Sequence, residues 1–194
     1  IEFGLRNGTT YNSFLVRGER TALIDTSHLK FESTWLPLLQ SQIDPLAIDY
    51  LIVSHTEPDH SGLIGHLIDL NPEIEIVGSK VAIQFLENQV HRPFKSRAVK
   101  SGEELDLGTN PTSGVAHRFE FLSAPNLHWP DTIFSFDHGT AILYTCDAFG
   151  LHYCSEELFD TDPGAIAPDF RFYYDCLMGP NARSVLQALK RMDG

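Results

Sequence analysis

Within six residues, His55, Thr56, Glu57, Pro58, Asp59 and His60, the chain gathers two imidazoles and two carboxylates. Side chains of these types hold divalent metal ions, and a carboxylate near a protein interior needs such a counter-charge. The run follows Leu51, Ile52 and Val53, an apolar stretch that reads as a buried strand too short to be a helix. His55, Glu57 and Asp59 alternate, so an extended backbone predicts all three side chains on one side. Pro58 keeps Glu57 out of the helical region and is expected to hold the run extended. Ser61 to Ile64 predict a helix start, with His60 at the strand-to-helix corner. Ligands on a rigid strand end stand where open α/β folds place chemistry. For any single residue here a solvated loop is the plainer reading; four donors behind a buried strand weigh against it.

Two more donors lie downstream. His128 sits in the loop Ser123 to Asp131, and Asp147 follows the strand-like Ala141 to Thr145 and Cys146. Alone, each is more often structural: His128 a satisfied loop histidine, Asp147 a turn former ahead of Gly150. Joined to the first run they make His55, Glu57, Asp59, His60, His128 and Asp147, three imidazoles and three carboxylates. Such a set suits two divalent ions with one carboxylate bridging both. The lack of thiolate pairs excludes a zinc knuckle, and hard carboxylates among imidazoles favour iron or manganese. Two ferrous ions against three carboxylates leave a site near neutrality. Cys146, Cys154 and Cys176 are odd in number and form no CxxC pair, which predicts free thiols in a reducing cytosol. Packing is their default role, and Cys146, although next to Asp147, is set aside as a ligand.

The elements that must position these groups show an α/β order in the first half. Asn12 to Val16 and Thr21 to Ile24 read as a hairpin, with Asp25, Thr26 and Ser27 closing it by side-chain bonds to nearby backbone. Helices are predicted over Phe31 to Gln42 (Trp35, Leu38 and Leu39 inward), Leu63 to Leu70, and Lys80 to Gln89 (Val81, Phe85 and Leu86 inward). Ile74 to Val77 is a strand between the last two. The second half is richer in short strands: Ala98 to Val99, Arg118 to Leu122, Ile133 to Phe136 and Ala141 to Thr145, with a tight turn at Asp137 to Gly139. Asn181 to Met192 closes as a helix with Val185, Leu186 and Leu189 inward. One domain of two packed sheets flanked by helices is expected over residues 1–194.

Composition narrows the partners. A formal net charge of -12 argues against a phosphate backbone or an anionic membrane surface. No apolar run approaches the length of a membrane span, so a cytoplasmic protein is expected. The chain opens at Ile1 rather than Met, and it is expected to be a piece cut from a longer protein at both ends.

The motif HxExDH at His55 to His60, then HWPD at His128 to Asp131 and CDAFG at Cys146 to Gly150, resembles the flavodiiron proteins, most of all the diflavin flavoproteins of cyanobacteria. Supporting stretches are Gly8 to Val16, Leu23 to Thr26 and the FYYD around Tyr173, so the likeness covers nearly the whole chain. Zinc hydrolases of the same superfamily carry a His where this chain has Glu57. The resemblance implies an α/β fold of the metallo-β-lactamase type, an αββα four-layer sandwich. It implies one iron on His55, Glu57 and His128, a second on Asp59 and His60, and Asp147 bridging them. A further His ligand of the family falls beyond Gly194, and His152, Tyr173 and Tyr174 are expected as supporting groups around the ligands.

The activity so implied is reduction of O2 to water, or of NO to N2O. Electrons would come from FMN on a flavodoxin-like domain outside this chain, in a head-to-tail homodimer, with any flavin reductase domain also outside it. No Gly-rich phosphate loop here binds a flavin. The rival reading is a dinuclear zinc hydrolase on the same fold, and a third is a non-catalytic partner that keeps the fold for dimerisation.

Overall fold

A computed structural model describes residues 7–157, 159–160 and 162–192. Phe14–Arg17 (β1) and Thr21–Ile24 (β2) pair antiparallel, and Tyr50–Val53 (β3), Glu75–Ser79 (β4) and Lys95–Val99 (β5) extend the sheet in parallel. Parallel neighbours need crossovers, and the helices Glu32–Gln42 (α1), Pro58–Ser61 (α2), Ile64–Leu70 (α3) and Lys80–Val90 (α4) lie in them. The second sheet is antiparallel throughout: Glu104–Thr109 (β6), Ala116–Ser123 (β7), Ile133–Asp137 (β8) and Ile142–Tyr144 (β9), in that order. Pro163–Tyr173 (α5) and Ala182–Met192 (α6) follow it.

Strand alternation builds the layers. On β2 and β3, Ala22, Ile24, Tyr50 and Ile52 meet Leu105, Leu107, Phe119 and Phe121 of the other sheet. Their neighbours Leu23, Leu51 and Val53 pack instead against Leu39, Ile64, Leu67, Ile83 and Leu86 of the helices. Outside the second sheet, Phe134 packs with Tyr173, Met178, Val185 and Ala188. The result is helix, sheet, sheet, helix.

Several local readings are corrected. Strand β6 and helix α5 were not anticipated. The inward faces also differ: α1 buries Leu39 while Leu38 is 62% exposed, and α4 buries Ala82, Ile83 and Leu86 while Phe85 stands 38% exposed. In α6 the buried pair is Val185 and Ala188, with Leu186 59% exposed. Two of these faces turn on an alanine, whose short side chain lets a helix approach its sheet closely. Counting only large apolar residues misplaces that phase.

Candidate metal centre

The first cluster forms where β3 ends. Val53 is buried between the layers, and the chain bends at Ser54 and runs without regular structure through His55 and Thr56. Asp25, at the end of β2, fixes this exit: its Oδ1 accepts from the backbone N–H of Ser54 at 2.7 Å. From the other sheet, Asp131 Oδ2 accepts from both the backbone N–H and the hydroxyl of Thr56, at 2.8 and 2.7 Å. The Ile133 backbone N–H donates to Ser54 O at 2.9 Å. His55 is thereby held with 1% exposure.

Pro58 does not prolong the extended run. It takes the first position of α2, where a missing N–H costs nothing, and Glu57 is the last extended residue at φ -59°, ψ 139°. Asp59 therefore projects from a helical turn rather than in line with His55 and Glu57. The turn carries His60 back toward β2, where its carbonyl accepts from the Thr26 backbone N–H and hydroxyl, each at 2.7 Å.

The second sheet supplies the rest. His128 lies in the loop between β7 and β8, closed by the Asn126 backbone N–H on Trp129 O at 2.8 Å, with Asn126 left-handed at φ +68°. Asp147 lies in a short 3-10 turn, Cys146–Phe149, after β9.

These loops bring two groups of donors together, His55, Glu57, His128 and Asp147 in one and His55, His60, Cys146 and Asp147 in the other, while Asp59 stands beside His60. His55 Nε2, Glu57 Oε2, His128 Nε2 and Asp147 Oδ2 surround one point: Glu57 is 3.2 Å from His55 and 3.0 Å from His128, Asp147 3.4 and 3.5 Å from the same atoms. Ligand atoms about 2.1 Å from one ion lie at such spacings from each other. The other oxygen of Asp147, Oδ1, lies 3.1 Å from His60 Nε2, and Asp59 Oδ2 lies 3.7 Å from that nitrogen. Asp59 Oδ1 is buried with no hydrogen-bond partner. An acceptor left bare beside an imidazole fits a cation better than it fits an apolar wall.

Electrostatics favour the same reading. Burial pushes Glu57 up, but its contacts with His128 and His55 outweigh this and bring it down to about 2. Burial acts to lower His128, yet Asp147 and Glu57 raise it to about 9. Asp147 is likewise held well below the carboxylate range by three imidazoles despite its burial. Burial raises Asp59, and the charges of Glu57 and Asp147 add to that. In the metal-free protein, protons on the imidazoles thus do what divalent ions would do.

The donors open on a cavity of about 480 Å³ that Asp59, His60, Asp147, His152 and Tyr173 help to line. Tyr173 is buried, its ring edge-on to His152 at 5.0 Å. Burial, then the negative charges of Asp147 and Glu57, raise its phenol. Tyr174 packs against the core around Phe134 instead.

Sequence reasoning missed three groups. Asp25 is one: besides its backbone bond, its Oδ2 lies 3.3 Å from His60 Nδ1. Asp131, read only as part of a loop, is the tie to Thr56 already described. Cys146 is the third, with Sγ 3.1 Å from His55 Nδ1 and 3.4 Å from His60 Nδ1. Packing, the default role of a free cysteine, set Cys146 aside. The left-handed backbone of Cys146, φ +52°, puts both side chains on one side. Asp25 next to an apolar strand was the one available signal.

Residues 9–193 match the family model of the ODP family beta lactamase. The chain is 66% identical to a putative diflavin flavoprotein A 1 of Nostoc sp., covering 100% of this chain and 32% of that protein. It is 63% identical to the diflavin flavoprotein A 1 of Synechocystis sp., covering 100% and 33%. The chain thus spans about a third of the length of these curated relatives. Among solved structures it superposes on a metal-soaked flavodiiron core from Synechocystis sp. with a TM-score of 0.91, at 31% identity, over 99% of this chain and 47% of that one. Rubredoxin oxygen:oxidoreductase from Desulfovibrio gigas gives a TM-score of 0.88 at 32% identity, over 97% and 46%. The four layers are those of the metallo-β-lactamase-like cores of such proteins, an α/β fold.

Proposed function

The chain belongs to the ODP family of beta-lactamase domains found in flavodiiron proteins, and from that premise we propose that it holds two iron ions and serves as the oxygen-reducing part of a longer oxidoreductase. His55, Glu57 and His128 would hold one ion, His60 and Asp59 the other, and Asp147 would bridge them. The observation that carries this is the division of Asp147, one oxygen turned to His55 and His128, the other to His60.

When bound, an iron pair supplies one-electron chemistry toward a small diatomic oxidant. The reaction proposed is four-electron reduction of O2 to water, with NO a possible second substrate. The chain's own residues set the terms. Glu57 brings negative charge between His55 and His128, where a third imidazole would favour a zinc-borne hydroxide. Tyr173 Oη keeps its proton at the cavity wall, since its phenol is raised by burial and by the carboxylates. Asp25 holds His60 from behind, so that Nε2 faces the cavity.

Electrons are proposed to come from FMN on a flavodoxin-like domain outside residues 1–194, in a head-to-tail homodimer. Among the described residues no helix is long and apolar enough to cross a membrane, and the three cysteines are unpaired, as in a reducing compartment; we propose the cytoplasm. The test is metal analysis of protein purified without chelators, followed by oxygen uptake with chemically reduced FMN. About two irons per chain and oxygen uptake faster than that of reduced FMN alone support the proposal. Zinc in place of iron, with hydrolysis of esters or thioesters, overturns it.

A further inference from the structure

We propose that Cys146 is a positioning residue for His55, its sulfur accepting the Nδ1–H and so fixing Nε2 as the nitrogen that faces the metal; the proposal rests on the metal-binding reading above. The two faces of His55 are occupied by different chemistry. Nε2 lies 3.2 Å from Glu57 Oε2 and 3.4 Å from Asp147 Oδ2, while Nδ1 lies 3.1 Å from Cys146 Sγ. An imidazole that ligates through one nitrogen carries its proton on the other, and the group that takes this proton sets both tautomer and ring orientation.

His60 shows the same division with a different partner. Its Nε2 faces Asp147, and its Nδ1 has Asp25 Oδ2 at 3.3 Å and the Cys146 sulfur at 3.4 Å. His60 has one Nδ1 proton to give, and a carboxylate is the stronger acceptor, so Asp25 takes it. The sulfur is left for His55. Its own S–H has Asp147 Oδ1 as an acceptor at 3.9 Å. Both imidazoles meet the sulfur at Nδ1, and it stands 3.9 Å from His60 Nε2. The sulfur is also near enough to His55, His60 and Asp147 to join a donor group itself, and the test below separates the two roles.

The test is a titration of the chain with Co2+ against a chromophoric chelator, comparing the unaltered protein with Cys146→Ala and Cys146→Ser. Circular dichroism of each metal-free protein checks folding, and Cys146→Val, which fills the space without an acceptor, replaces the alanine variant if that fails to fold. The expected result is affinity for the first ion lowered about 10–100-fold in Cys146→Ala, the range for lost outer partners of ligating histidines. Cys146→Ser, whose hydroxyl accepts the same proton, restores most of it. Unchanged affinity in the alanine and valine variants overturns the proposal. So does an intense near-ultraviolet sulfur-to-cobalt band that Cys146→Ser abolishes, because the sulfur would then be a ligand. If the unaltered chain takes up no ion, the metal-binding reading itself falls, an outcome distinct from an indifferent Cys146.

Discussion

At the scale of residues, Asp147 is the shared element of both donor groups, and its loss should be felt by both. Asp147→Asn keeps the size but gives up the charge and one oxygen acceptor. We expect that variant to retain at most one tightly held iron per chain, measured by metal analysis after gel filtration. Protonation sets a second expectation. In the metal-free protein His128 titrates at about 9, above its ordinary value, so it contributes stability that is full below about pH 6.5 and lost as pH rises through about 9. Glu57, brought down to about 2, contributes stability above its ordinary value and loses it as pH falls toward about 2. An arriving ion must expel the protons that the raised imidazoles of His55, His60 and His128 carry, so metal affinity should rise with pH through about 9 and continue to rise beyond it. Chelator competition across that range checks the slope, and a flat profile would contradict it.

At the scale of elements, the corner that seats Asp59 and His60 depends on Gly62. A Cβ there would lie 2.5 Å from Pro58 O, 2.8 Å from Leu29 N and 2.9 Å from Ser27 O, all backbone. Gly62→Ala is expected to cost about 1–3 kcal/mol in urea unfolding and to lower metal occupancy, because α2 must shift. Asp131 tests the tie between sheets: Asp131→Ala strands the Thr56 N–H and hydroxyl, at about 1–3 kcal/mol. What could be read in advance follows from the same elements. The strand Tyr50–Val53 was legible because an unbroken apolar run ends in polar donors. Strand Glu104–Thr109 was not, because its only inward side chains are Leu105 and Leu107 and its register is broken beside Gly108. Helix Pro163–Tyr173 hid behind Pro163, Gly164 and Pro168, residues that usually end helices; its N-cap Asp162, which accepts from Gly164 and Ala165 N–H, is visible only with the backbone in place. The donor list was legible by type. Its arrangement was not, since Pro58 has two readings before it, one that stiffens and one that starts a helix, and only packing decides.

At the scale of the whole molecule, the interior between the sheets carries Phe119 and Phe121, each fully buried. Phe121→Ala should cost about 3–5 kcal/mol and broaden the unfolding transition, since both sheets lose the same partner. The proposed metal binding would be coupled to that stability. Raising free Fe2+ or Co2+ to about 100 times its dissociation constant should add about 2.7 kcal/mol per site, and a chelator should lower the melting temperature by removing it. The layered order also bears on how a cell could make such a centre. His55 through His60 leave the ribosome well before His128 and Asp147 are translated, and the later pair comes from the opposite sheet. A nascent chain thus displays half a pocket, with no geometry to reject zinc or copper, the ions that bind most avidly to loose imidazoles. Fidelity for iron, on the proposed reading, would then be a property of the finished sandwich, and the cell would gain by keeping stray copper away until the second sheet has docked.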